Sequence, residues 1–169
     1  MIPWMHPKEI EFVTSQLKIS DTMLEWGSGG STLLFSNYVS KYYSIEHVED
    51  WYKKVMDKLI EYPLLDISYK HIAPNHPKTK PTRYKEFKTY IEYPSTLGQK
   101  FDKVFIDGRA RAQCAEFIIP YLNEDSIVFM HDYFKRPQYH SIEKYYNVIG
   151  GVLDTEQTIV GLKLKENYE

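Results

Sequence analysis

Short apolar runs alternate along this chain with stretches of helical periodicity. Ile10, Val13 and Leu17 recur at helical spacing between Pro7 and Lys18, and a proline suits a first helical turn. Asp21 to Glu25 reads as a strand carrying Met23 and Leu24. Ser31 to Val39 reads as a helix, and Lys41 to Glu46 as a second strand. Val48 to Glu61 places Trp51, Val55 and Leu59 on one helical face, and Leu65 to Ile72 has the period of a third strand. Prolines 74, 77 and 81 mark an exposed loop from Ala73 to Arg83, and Tyr84 to Tyr93 predicts a helix. Lys103 to Asp107 is a fourth strand, Ala110 to Leu122 a helix and Ser126 to Asp132 a fifth strand. A helix is expected within Arg136 to Ile149. Val152-Leu153 and Thr158 to Lys165 close the chain as two strands.

Strand–helix alternation implies a parallel sheet covered on both faces, and the closing pair adds one antiparallel strand. In such a sheet ligands bind beyond the carboxyl ends of the strands. Those ends are polar here: Glu25 with the loop Trp26-Gly27-Ser28-Gly29-Gly30-Ser31-Thr32, then Glu46, Asp107 and His131-Asp132. A single acid there reads equally well as a turn residue. Four on consecutive strand ends imply a site.

The glycines let a ligand approach bare backbone, and Ser31 and Thr32 suit the start of the following helix. Glu46 lies about twenty residues beyond the loop, where a nucleotide-binding fold places the acid for the ribose hydroxyls. That leaves a dinucleotide or another adenosine-bearing cofactor. A dinucleotide loop calls for Gly-x-Gly-x-x-Gly, but position 32 is threonine and the loop opens on an acid, which repels pyrophosphate. A ligand bearing an ammonium and a sulfonium meets no such repulsion.

These residues resemble class I S-adenosylmethionine-dependent methyltransferases, whose motifs are an acid-x-Gly-x-Gly loop and an acid ending the second strand. The resemblance runs from about Glu9 to Leu164. It implies an α/β, Rossmann-like, doubly wound, mostly parallel seven-stranded sheet with one antiparallel strand near the C-terminus. It places Glu25, Gly27, Ser28, Gly29, Ser31 and Thr32 along the methionine part of S-adenosyl-L-methionine, Glu46 on the ribose and His47 against the adenine. His71-Ile72-Ala73 falls at a further adenine contact but lacks the usual acid or asparagine.

The fourth and fifth strand ends are similar to those of small-molecule O-methyltransferases of the catechol, macrolide-sugar and cephalosporin type. This implies Asp107, His131 and Asp132 as catalytic candidates, Asp107 also bordering the cofactor. Asp107 and Asp132 become candidate ligands for Mg2+ or another divalent cation, and His131 an alternative base. Arg109, Arg111 and Tyr133 are candidate contacts to substrate. The chain departs from that pattern by ending strand five in His-Asp and by reading Ile106-Asp107-Gly108-Arg109-Ala110-Arg111 after strand four.

Composition changes this picture little. The 169 residues fit one domain, 1–169, with a cap helix in 1–20 and a basic loop and helix in 73–98. A net charge of −2 gives no overall pull toward nucleic acid or membrane. The lone Cys114 excludes an internal disulfide, Met1 to Pro7 lacks the features of a signal peptide, and no apolar run spans a bilayer, so cytoplasm is the expected location. Trp4, Met5 and His6 are placed to cover the cofactor. Lys78, Lys80, Arg83, Lys85 and Lys88, interleaved with Tyr84, Phe87 and Tyr90, read either as an RNA- or glycan-binding stretch or as a solvated face with buried aromatics. The expected acceptor is a small molecule, a sugar or glycan first, with nucleic acid as the alternative and a non-catalytic module as the third reading. A homodimer could complete the substrate pocket.

Overall fold

Residues 1–76 and 83–166 are described by the computed structural model. Strands β1 (Thr22–Trp26), β2 (Lys41–Glu46), β3 (Ile67–His71), β4 (Phe101–Ile106), β5 (Leu122–His131), β6 (Tyr146–Val152) and β7 (Ile159–Leu164) form one sheet in the order β3-β2-β1-β4-β5-β7-β6. β1 to β5 run parallel, and β7 is antiparallel to both of its neighbours. The chain leaves β1 to one side for β2 and returns on its other side as β4. The switch point, where loops diverge and a crevice opens, therefore lies between β1 and β4.

Alternation along the strands builds two cores. Leu24, Trp26, Val104, Ile106, Val128 and Met130 face one side, where Tyr90, Ile91, Cys114 and Ala115 cover them. Met23, Tyr42, Phe105 and Phe129 face the other, under Val13 and Phe35. Each fully buried phenylalanine contributes on the order of 2–3 kcal/mol. The same alternation puts Glu25, Ser44 and His131 on the second face, beneath helix α1 (Pro7–Thr14) and helix α2 (Gly30–Phe35). Helix α1 is seated by Phe12: a Cβ on Gly150 or Gly161 would lie 3.1 or 3.0 Å from its ring, so glycines leave it the space.

The remaining helices are α3 (Glu49–Leu59), α4 (Arg83–Glu86), α5 (Lys88–Glu92) and α6 (Arg111–Phe117). Several are shorter than their periodicity predicts. The helix expected within 136–149 is a 3-10 turn, Pro137–Lys144, and its last residues belong to β6, which begins at Tyr146 rather than Val152. Tyr146 to Val148 and, past a register shift, Gly150 to Val152 pair with β7, a tertiary term that local periodicity does not report. The helix expected from Tyr84 to Tyr93 breaks at Phe87, which is buried with Tyr90 in the core. Lys78 and Lys80 lie outside the described residues. Among the described residues no helix is long and apolar enough to cross a membrane.

Candidate functional site

The glycine loop is built on a buried acid. Glu25 is fully buried at the end of β1 and accepts hydrogen bonds from Ser31 Oγ (2.5 Å), Thr32 Oγ1 (2.5 Å) and Ser44 Oγ (2.6 Å). Thr32 Oγ1 in turn accepts from the Gly29 N–H at 3.0 Å. Burial pushes the Glu25 pKa up to about 7, against the pull of its three hydroxyl partners. The side chain faces inward: Glu25, Ser31 and Thr32 shape the loop from below, while Gly27 and Ser28 line the cleft above it. Gly27 has φ +90, and a Cβ there would stand 2.5 Å from the Gly108 nitrogen. Only glycine lets the loops after β1 and β4 meet this closely. Ile2 and Pro3 cross Gly30 with no room for a Cβ, so the N-terminal segment does lie over the loop, but the Trp4 side chain projects into solvent.

Glu46 ends β2 on the other wall. Its Oε2 accepts from the Ser28 N–H and Oγ, both at 3.1 Å, and its Oε1 from the N–H groups of His47 (2.7 Å) and Val48 (2.8 Å). Burial raises its pKa, but the His47 side chain and these N–H groups outweigh that and hold it below the usual carboxylate value. The His47 ring meets Phe87 and Tyr90 edge-on at 5.5 and 5.6 Å. Trp51 donates to the Ser28 carbonyl at 2.7 Å, and His71 approaches the His47 carbonyl at 3.4 Å. Between these walls lies a cleft of about 330 Å3, lined among others by Gly27, Ser28, Glu46, Trp51, Asp107 and Arg109.

At the ends of β4 and β5, Asp107 Oδ1 lies 2.9 Å from Arg111 Nη2 and 3.0 Å from His131 Nδ1. Asp107 Oδ2 takes no hydrogen bond among the described residues, and the side chain is about one-third exposed. Arg111 also donates to the carbonyls of Gly108 (3.0 Å) and His131, and Nη1 lies 3.3 Å from Asp132. Asp132, at φ +59, pairs further with Arg136 at 3.1 Å. His131 is 3% exposed, so the structure places it behind Asp107 and away from the cleft. Its Nε2 points toward Glu9 Oε2 at 3.6 Å. Burial lowers the His131 pKa, but the Asp107 hydrogen bond and the charges of Asp107, Asp132 and Glu9 more than reverse this and raise it.

Sequence reasoning missed Glu9. It sits in the first turn of α1, where it accepts from the His6 N–H at 2.8 Å and looks like an ordinary cap. The one available signal is an acid beside Ile10 on a helix that must cover the sheet. Tyr133, by contrast, does not reach either cavity: it is 1% exposed and donates to Glu143 at 2.7 Å.

Asp107, His131 and Asp132 each offer a ligand atom within 4.8 Å of the others. Magnesium prefers an all-oxygen, near-octahedral shell. Here Arg111 already bridges the two carboxylates, and the third group is an imidazole whose Nδ1 is already taken up by Asp107. The residues as arranged do not fit a magnesium ion; the guanidinium occupies its electrostatic place. The cleft does fit an adenosine-bearing cofactor, with bare glycine backbone on one wall and a carboxylate hydrogen-bonded to Ser28 on the other.

A second cavity, about 310 Å3, adjoins the cleft and shares Gly108, Arg109 and Arg111 with it. A larger depression of about 990 Å3 lies at the start of β5, at the opposite end of the parallel strands, and no candidate residue lines it.

No protein-family model matches the sequence, and no curated protein is a detectable relative. Solved structures do match. A methyltransferase-like protein from Silicibacter pomeroyi is 20% identical with a TM-score of 0.71, over 96% of this chain and 89% of that one. An rRNA methylase from Streptococcus thermophilus is 10% identical with a TM-score of 0.66, over 97% and 99%. A methyltransferase candidate from Streptococcus mutans, in complex with SAH, is 12% identical with a TM-score of 0.65, over 98% and 100%. The chain thus has the Rossmann-like fold of methyltransferases.

Proposed function

We propose that this protein is an S-adenosylmethionine-dependent methyltransferase acting on a hydroxyl of a small molecule, a sugar or glycan first. The observation that carries the reading is Asp107, which lines the cleft: one oxygen is fixed by Arg111 and His131, and the other takes no hydrogen bond among the described residues. The fold likeness, the glycine loop and Glu46 support the donor side.

S-adenosylmethionine, when bound, would supply a methyl carbon whose bond to the sulfonium sulfur breaks as an acceptor oxygen attacks in line, leaving the neutral thioether of S-adenosylhomocysteine. Glu46 would hold the ribose, and Gly27 would give the methionine part its close approach. His47 borders the adenine. Asp107 accepts the acceptor's proton at Oδ2 as the oxygen–carbon bond forms. Arg111 and His131 hold Asp107 in orientation, and Glu9 holds His131. No step is routed through a metal.

A nucleic-acid acceptor is the second reading. It draws on the likeness to the rRNA methylase and on Arg83, which lines the second cavity, with Lys85 and Lys88 following it along the chain. A non-catalytic module would have no use for the unengaged carboxylate oxygen.

The test is calorimetry with S-adenosylhomocysteine, then release of that product from S-adenosylmethionine with a panel of hydroxylated acceptors. Binding is expected, with turnover on at least one sugar. Asp107→Asn is expected to lower turnover about 10²–10⁴-fold while still binding the product. Transfer confined to RNA or protein would replace the acceptor reading, and failure to bind the cofactor would remove the enzyme reading.

A further inference from the structure

Four arginines, Arg83, Arg109, Arg111 and Arg136, line the second cavity, and among the described residues no aspartate or glutamate does. They come from three parts of the chain: α4, the β4 loop with the start of α6, and the segment after β5. Their counter-charges stand outside the cavity. Arg111 is held by Asp107 and Asp132, Arg136 by Asp132 at 3.1 Å, and Arg83 by Glu86 at 3.3 Å. Arg109 is exposed and forms no ion pair among the described residues. Gln113, Gln138 and Tyr139 complete the wall with neutral groups.

Three of these guanidinium groups are already compensated by carboxylates outside the wall, but Arg109 is not, and a neutral ligand would leave it so. An oxyanion compensates it directly. A guanidinium presents paired N–H donors that match carboxylate or phosphate oxygens, and such charged bonds are about twice as strong as neutral ones. The volume suits one anionic group with part of its carrier, not a track of successive phosphates. Because Gly108, Arg109 and Arg111 border both cavities, an anion held there sets the rest of its carrier beside Asp107.

We infer that the acceptor is a small hydroxylated molecule bearing an oxyanion group, phosphate or carboxylate, seated in the arginine cavity beside the methyl-donor cleft. This rests on the methyltransferase reading for the word acceptor, but the anion site is measurable without it.

The full chain, with and without S-adenosylhomocysteine, is titrated by calorimetry with glucose 6-phosphate, glucuronate and glucose. At least one of the two anions is expected to bind about tenfold or more tightly than glucose, the scale of one charge-assisted hydrogen bond. The stronger anion distinguishes phosphate from carboxylate. Arg83→Gln and Arg109→Gln, both at exposed positions that the fold does not need, are expected to lower that preference about three- to tenfold each. Arg83 lies outside the cofactor cleft, so the Arg83→Gln protein is expected to keep its S-adenosylhomocysteine affinity. Equal binding of glucose and both anions, or an anion preference untouched by both variants, overturns the inference. So does tight binding of an RNA oligonucleotide with a steep salt dependence when neither small anion binds. If the product fails to bind while an anion does, the methyltransferase reading falls and the anion site stands.

Discussion

Glu9 Oε2 stands 3.6 Å from His131 Nε2, behind the ring whose other nitrogen lies 3.0 Å from Asp107. A buried imidazole is thus flanked by carboxylates at both nitrogens, and its pKa is raised. In Glu9→Gln the amide oxygen can still cap α1, but one of the charges that favour the imidazolium is gone. The His131 ring, followed by proton NMR, is expected to titrate above pH 6.5 in the wild type and at a lower pH in the variant. An unchanged midpoint would show that Glu9 does not act on the ring.

Glu25 predicts a loss of stability with rising pH. Its folded pKa, about 7, lies above the ordinary 4.5. The protonated carboxyl is therefore favoured in the fold. Its contribution is complete below pH 4.5 and is lost as the pH rises to about 7, amounting to about 3 kcal/mol. His131, also raised, loses its contribution in the same sense above pH 6.5. Melts between pH 5 and 8 are expected to show the wild-type Tm falling with pH, with a much shallower slope in Glu25→Gln. Parallel slopes for the two proteins would refute the assignment.

Much of this site was legible because strand ends are punctuated by chemistry. The glycine loop, Glu46, Asp107 and His131-Asp132 could be placed at one end of a sheet from strand–helix alternation alone, and the sheet order agrees. The direction of each side chain was not legible. Glu25 turns inward because Ser44 is its partner in the β1–β2 register and Ser31 and Thr32 close over it. Arg111 reads as a helix start, yet it fills the space between two carboxylates from strands that only the fold makes neighbours. Glu9 belongs to a helix whose seating depends on Phe12 and on glycines near the other end of the chain. Pairings of this kind arise from packing, which local pattern does not encode.

Gly27 gives a steric prediction. Alanine there would hold a Cβ 2.5 Å from the Gly108 nitrogen, at a φ of +90 that alanine rarely adopts. Gly27→Ala is expected to lose about 2–4 kcal/mol in urea unfolding. Near-native stability would mean that the two loops move apart at little cost. Affinity for S-adenosylhomocysteine is expected to fall with stability, since the same contact shapes the cleft.

Arg111 sits between the two carboxylates that are the candidate cation ligands, within 2.9 Å of Asp107 and 3.3 Å of Asp132. Methyl transfer is therefore expected to proceed at full rate in excess EDTA; a large loss restored by Mg2+ would return the reaction to a metal. Removing the guanidinium should reverse the situation. Arg111→Ala leaves two carboxylates and His131 around a vacated charge, at a cost of about 3–5 kcal/mol. Their ligand atoms, within 4.8 Å of one another, then offer a mixed oxygen–nitrogen site that suits Mn2+ or Zn2+ better than Mg2+. Thermal melts are expected to show Mn2+ or Zn2+ raising the Tm of Arg111→Ala and leaving that of the wild type unchanged. An equal shift in both proteins would place the metal elsewhere on the surface, and no shift in either would mean that the collapsed acids no longer face one another once Arg111 is gone.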